Sequence, residues 1–285
     1  MGKVRKIKRL SKAWQTMEGA GVRLKRVIGQ DDTELVDPFL LLDDFHSDNP
    51  NDYIAGFPWH PHRGIETITY MLHGEIEHGD SLGNGGVICS GDCQWMTAGN
   101  GIIHQEMPHF QKGDSLLWGF QLWANLPASQ KMMDPRYRDV KSEDVPEVTV
   151  NGAKVKVICG EVNGTKGPVQ DVVIDPEYLD ITLKPNSEFS HTVKEGYTVF
   201  AYVIEGEGQF EPDGELINNE YLIIFKDGDE VRITTTDRPV RFLLISGKPL
   251  HEPVAWYGPI VMNTQEELRL AFDEYRKGTF IKHGK

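Results

Sequence analysis

Short runs of β-branched and aromatic residues, each ended by Gly, Asn, Asp or Pro, recur along nearly the whole chain. They lie at 66–72, 86–89, 117–124, 155–159, 178–183, 198–204, 221–225, 230–235 and 240–246. A run this short alternates its side chains between two faces and cannot bury either face alone, so many of them at regular spacing predict β-sandwiches or β-barrels. One segment differs. Residues 264–277 (TQEELRLAFDEYRK) carry Leu268, Leu270, Ala271, Phe272 and Tyr275 near helical spacing. Thr264 with Glu267 makes a capping box and Gly278 supplies the stop. The expected fold is all-β, closed by a short C-terminal helix that lays its apolar face on a barrel.

The chain has 285 residues, 39% hydrophobic and 26% charged, enough for two domains with real cores. Its halves resemble each other. TITYMLHGE (67–75) places Tyr70 four residues before Gly74, and VFAYVIEGE (199–207) places Tyr202 four before Gly206. Residues 91–96 and 219–224 share a turn, an acidic residue and an apolar strand. Self-similarity at a separation of roughly 130 residues implies two similar β-domains in tandem. Between 125 and 151, Pro127, Pro135 and Pro146 punctuate a polar stretch. The expected division is therefore 1–128, a linker at 129–150, and 151–285 with the helix at its end.

A formal net charge of −13 argues against direct nucleic-acid binding. The basic run Lys3, Arg5, Lys6, Lys8, Arg9 and Lys12 reads as a solvated edge strand whose charges discourage edge-to-edge pairing. No apolar run approaches the ~18 to 20 residues that span a bilayer, so no membrane partner is expected. The basic N-terminus lacks the apolar block of a secretory signal. Three cysteines, Cys89, Cys93 and Cys159, are too few for a disulfide framework, and a reducing cytoplasm is the expected location.

The chemistry is concentrated in two short stretches. In Phe57-Pro58-Trp59-His60-Pro61-His62-Arg63-Gly64, the histidines stand two apart, so on a strand they face the same side. In Gly99-Asn100-Gly101-Ile102-Ile103-His104-Gln105-Glu106, His104 and Glu106 repeat that spacing after a flexible turn. Two such pairs on neighbouring strands can converge on one divalent transition metal, offering three imidazoles and a carboxylate. That donor set suits Fe(II) first, with Mn, Ni, Cu or Zn as alternatives, and without thiolates a structural zinc is disfavoured. Four ligands on an ion preferring six leave positions for substrate or dioxygen. Glu106 could also act as a base if it swings off the metal. Glu66 is a rival ligand, four residues after His62, if the strand continues. Arg63 is expected to pair with Glu66 or Glu106. Trp95, Met96 and Gln121 read as barrel core that could line a pocket. Aligning the halves puts Thr192 and Lys194 where His60 and His62 stand, and Arg232 and Thr234 where His104 and Glu106 stand. The second half is therefore expected to lack a metal site, with its cations repelling an ion.

The blocks HPHRGIETITYML, GDCQWMTAGNGIIHQEMP, GFQLWANLP and EPVAWYGPIVMNTQEEL resemble the pirin family of the cupin superfamily, in order and over nearly the whole chain. The resemblance implies two tandem cupin, jelly-roll-like β-barrels with the metal in the first. It implies His60, His62, His104 and Glu106 as ligands, whereas the general cupin pattern takes its carboxylate from near Glu66. It implies two activities in different members: quercetin 2,3-dioxygenase, opening a flavonol ring with dioxygen, and metal-dependent regulation through a protein partner. The enzyme is the primary expectation and the regulatory module the alternative.

Overall fold

The computed structural model describes residues 2–109 and 113–282. The chain forms two compact units, each assembled from segments distant in sequence. One comprises Gln15–Arg26, Phe39–Ser142 and Leu250–Lys285, the other Met1–Trp14, Val27–Pro38 and Glu143–Pro249.

The first unit is a barrel of two antiparallel sheets. Its larger sheet runs Arg136–Val140, Cys93–Thr97, Ile65–His73, Leu117–Asn125, Phe39–Ser47, Val22–Ile28, Trp14–Glu18. Its smaller sheet runs Phe57–His62, Ile102–His109, Glu75–Asp80, Gly85–Ile88. The second unit repeats this order. Its main path is Ile7–Lys12, Tyr221–Phe225, Thr198–Gln209, Val240–Gly247, Glu177–Leu183, Ala153–Cys159, Glu147–Val150. Glu188–Thr192 pairs with Glu230–Thr234, and Leu216–Asn218 with the end of Thr198–Gln209.

The repeated Tyr-to-Gly spacing has a backbone cause. Gly74, just after Ile65–His73, and Gly206, within Thr198–Gln209, take left-handed backbone at φ 87° and 77° at corresponding places. A Cβ at Gly74 would sit 2.9 Å from the Leu116 carbonyl oxygen, and one at Gly206 2.0 Å from that of Pro239. Leu116 and Pro239 each precede the next core strand, so both barrels make the same tight crossing where only glycine fits.

The nine strands expected from sequence all form, within a few residues of the expected ends. The contiguous division differs from the observed one in two ways. The supposed linker contains Arg136–Val140, which pairs with Cys93–Thr97, and Glu147–Val150, which pairs with Ala153–Cys159. The helix, Gln265–Arg276, groups with the first barrel rather than the second. Its buried Leu268 and Ala271 pack with Ala255, Ile260, Met262 and Phe280. Its capping box is present, with Thr264 Oγ1 accepting from Glu267 N–H and Glu267 Oε2 from Thr264 N–H. The basic strand Ile7–Lys12 is indeed a sheet edge. Arg5 departs from the solvated reading: it is buried and donates to the carbonyls of Gly228, Tyr197 and Lys194. No helix among the described residues is long and apolar enough to cross a membrane.

Candidate metal centre

His60 and His62 lie on the edge strand of the smaller sheet, a position that tolerates Pro58 and Pro61, which have no N–H to donate. In the pairing with Ile102–His109, His60 faces His104 and His62 faces Ile102. The register then shifts, so that Glu106 faces Phe57. Such breaks in register are common beside functional sites.

The three imidazoles meet. His60 Nε2 lies 3.0 Å from His62 Nε2 and 2.9 Å from His104 Nε2. His60 Nδ1–H donates to the Pro58 carbonyl at 2.9 Å and His62 Nδ1–H to that of Pro259 at 3.0 Å. With the proton of each neutral ring committed to Nδ1, the His60–His62 approach sets two lone pairs against each other. A cation between them resolves that repulsion, and Nδ1–H bonding to a carbonyl is the usual way a ligating imidazole is oriented. Burial, then the charges of neighbouring imidazoles, pushes His62 and His104 well below the ordinary histidine range. His60 is lowered by burial, against the pull of Pro58 and Glu106. Neutral imidazoles are the form that binds a metal. The three residues are a group whose ligand atoms all lie within 4.8 Å of one another. The donor set fits a divalent transition ion.

Glu106 stands beside this group on the same face as His104, buried, with Oε1 accepting from Thr69 Oγ1 at 2.7 Å. Glu66 does not join them. Gly64, at φ 79°, turns the chain out of the edge strand, and Glu66 begins a strand of the other sheet. There it points to the face opposite Thr67 and Thr69, accepting from Trp95 Nε1 (2.5 Å) and Thr97 Oγ1 (2.9 Å). Burial raises its carboxyl above the usual range, those donors notwithstanding. Trp95 shares that face and so is not turned toward the histidines.

Arg63 pairs with neither Glu66 nor Glu106. Its buried guanidinium donates to the Asn100 carbonyl (2.7 Å), the Phe280 carbonyl (2.9 Å) and Glu274 (2.7 Å), and stacks on the Phe280 ring at 4.2 Å. Gly64 N–H donates to Gly99 O at 2.8 Å. Lys131 Nζ donates to Gly64 O, Asn125 Oδ1 and Val261 O. The two histidine motifs are thus fastened to each other and to the C-terminal segment, which also supplies the Pro259 carbonyl to His62. Sequence reasoning missed Thr69, Lys131 and Pro259. A carbonyl partner leaves no residue-type signal, and a single threonine or lysine has no motif.

The second barrel differs at the same rungs. Where the first has His60 opposite His104 and His62 opposite Ile102, the second has Phe189 opposite Ile233 and His191 opposite Val231. Apolar Phe189 and Ile233, not the expected cations, stand in place of His60 and His104, while the one histidine kept, His191, is turned to Glu177 at 3.2 Å. Arg232 lies on the alternate face, bonded to Glu230. The expected counterparts Thr192 and Lys194 lie three residues from these rungs, and Arg232 and Thr234 one residue, and any odd slip exchanges the two faces of a strand.

The pirin sequence profile matches residues 21–124, and that of the pirin C-terminal cupin domain matches 178–281. A Pseudomonas aeruginosa protein named "Putative quercetin 2,3-dioxygenase PA3240" is 43% identical over 98% of this chain and 99% of its own length. Pirin-1 of Arabidopsis thaliana is 46% identical over 91% of this chain and 88% of its own. The solved structure of quercetin 2,3-dioxygenase from Acinetobacter baumannii is 31% identical, with a TM-score of 0.90 over 98% of this chain and 99% of that one. A nickel(II)-bound pirin from Escherichia coli shares the fold at 22% identity and a TM-score of 0.64, over 85% of this chain and 99% of its own. With both barrels matched in order, this chain belongs to the pirin family of cupin proteins.

Proposed function

We propose that the chain is a metal-dependent dioxygenase that opens a flavonol-type ring with dioxygen, in the manner of quercetin 2,3-dioxygenase. The observation that carries the reading is the convergence of three Nε2 atoms, two of them with Nδ1–H committed to carbonyls, beside a tethered carboxylate. The reaction class is drawn from the relatives named for it. His60, His62 and His104, with Glu106 as fourth ligand, would hold one divalent ion, Fe(II) foremost among Fe, Mn, Ni, Cu and Zn. When bound, the ion would hold the flavonol 3-oxygen as its anion and couple it to dioxygen.

The chain's own residues do the remaining work. Thr69 holds Glu106 through Oε1, and Glu106, on swinging off the ion, would accept the proton of the 3-hydroxyl. Trp123 packs edge-on against His62 with ring centroids 5.1 Å apart, offering an aromatic wall. The net change, flavonol plus dioxygen to a depside and carbon monoxide, balances without a further oxidant. The thiols Cys89, Cys93 and Cys159, none of them joined in a disulfide, suit a reducing cytoplasm.

The test is an oxygen electrode with quercetin and protein loaded in turn with Fe, Mn, Ni or Cu. Equimolar loss of quercetin and oxygen is expected, and no uptake by any loaded form overturns the reading. The regulatory alternative draws on the second barrel, whose apolar interior could serve as a scaffold for a partner-docking face. A pull-down that recovers no partner with either oxidised or reduced protein counts against it.

A further inference from the structure

A fourth imidazole stands beside the cluster, and the reading above does not use it. His78 lies on Glu75–Asp80, in register with Glu106, while Asp80 is in register with His104. Its side chain therefore shares the inner face with both. It is 2% exposed. Its ring centroid is 5.4 Å from that of His104 and 5.2 Å from that of Tyr137, on which it stacks at 18°. Neither ring nitrogen has a hydrogen-bond partner among the described residues. The carboxylate of Asp80 lies 3.9 Å from Nε2, beyond hydrogen-bond reach. That carboxylate is engaged instead by Leu82 N–H, Asn84 N–H and Asn84 Nδ2.

An imidazole carries at least one N–H in every state, and burying it unpaired is costly. Stacking on Tyr137 fixes the ring plane, so the donor is held rather than free to turn away. A buried imidazole adjoining the histidines, with neither nitrogen hydrogen-bonded among the described residues, points to a ligand that accepts a hydrogen bond.

We infer that His78 is the hydrogen-bond donor that grips an anionic or oxygen-bearing ligand at an open position of the metal. The inference rests on the cluster being a metal centre and is independent of the flavonol reaction.

The experiment is azide titration of Co(II)-loaded full-length protein, followed by visible absorption with metal content measured in parallel. Wild type takes up Co(II), and azide changes its spectrum. His78→Phe keeps the ring stack and the metal but binds azide about tenfold more weakly, the loss of one ordinary hydrogen bond. His78→Gln, which restores a donor, stays within about threefold of wild type. Unchanged azide affinity in His78→Phe overturns the inference, as does loss of Co(II) from it, or a His78→Gln defect as large as that of His78→Phe. If circular dichroism shows His78→Phe unfolded, His78→Leu serves as the apolar variant under the same criteria. A wild-type protein that takes up no Co(II) overturns the metal reading itself, an outcome visible before any variant is compared.

Discussion

Replacing Arg63 by Met tests whether the metal centre is held together from behind. The side chain is 2% exposed and donates to two backbone carbonyls and one carboxylate. Met approximates the length of its stem but leaves the Asn100 and Phe280 oxygens without their donor. An orphaned buried acceptor costs about 1–3 kcal/mol. Glu274 loses less, because it is one-fifth exposed and keeps Lys282 at 2.7 Å. The expected loss is about 3–5 kcal/mol, in line with breaking one side of a buried ion pair. With an m-value near 2 kcal/mol per molar urea, the midpoint of the barrel carrying the site falls by about 2 M. The assay is urea unfolding followed by tryptophan fluorescence, with metal content measured on the folded variant. Arg63 bridges the first histidine motif to the turn before the second, so the folded variant also retains less metal. Arg63→Lys, with a single cationic head, restores part of the stability, because an ammonium cannot span three acceptors lying in different directions. A midpoint shift below about 0.5 M for Arg63→Met, with metal content unchanged, would refute the reasoning.

Combined alanine replacement of His60, His62 and His104 lowers metal content to under about one-tenth of wild type by elemental analysis, since no other donor set replaces three imidazoles. Thr69→Val frees Glu106 from its hydroxyl partner and weakens metal retention in a chelator competition by roughly ten- to a hundredfold. Glu66→Gln leaves metal content unchanged, because its carboxyl is engaged by Trp95 and Thr97 on the other face; metal loss would make Glu66 a ligand after all. Burial pushes the Asp43 carboxyl up to about 6, from 3.8, against the opposing pull of Arg26. The folded chain then holds that proton over a window where the unfolded chain has released it, so stability falls as pH rises from about 4 to about 6, by on the order of 3 kcal/mol. Asp43→Asn flattens that slope in urea titrations across the window, and an unaltered slope refutes the assignment.

The histidine cluster was legible because each half of it is local. His60 with His62, and His104 with Glu106, are i, i+2 pairs, and alternation on a strand carries directly into space. The same alternation points falsely to Glu66, because it does not continue through Gly64, where the chain turns into the other sheet. Local rules cannot place Arg63, because its partners lie at Asn100 and beyond residue 270, at separations such rules do not reach. The strands inside the supposed linker escaped notice because Arg136–Val140 is an edge strand, polar and only partly buried, with none of the apolar signal that marks a core strand.

Comparing the two barrels shows what the site does to the core that houses it. In the second barrel Val199, Ala201 and Val203 join one continuous apolar cluster with Phe189, Val231 and Ile233. In the first, the corresponding strand reads Ile65, Thr67, Thr69, Met71 along its inner face. Ile65 belongs to one cluster with Met96, Ile102 and Val261, and Met71 to a separate one with Phe45, Ile76 and Leu117. The polar layer of Thr67, Thr69, Gln94 and the histidines divides what is a single core in the other copy. Each apolar side chain removed from such a layer forgoes roughly 1.5–3 kcal/mol of burial. The first barrel therefore depends on attachments its partner copy has no need of. These are the Arg63 and Lys131 bonds to backbone carbonyls, and a C-terminal segment whose Val261 completes one apolar cluster while its Pro259 carbonyl orients His62. On this view the metal is itself a structural term for the first barrel, and adding it to the apo protein should raise the unfolding midpoint of that barrel without moving the other.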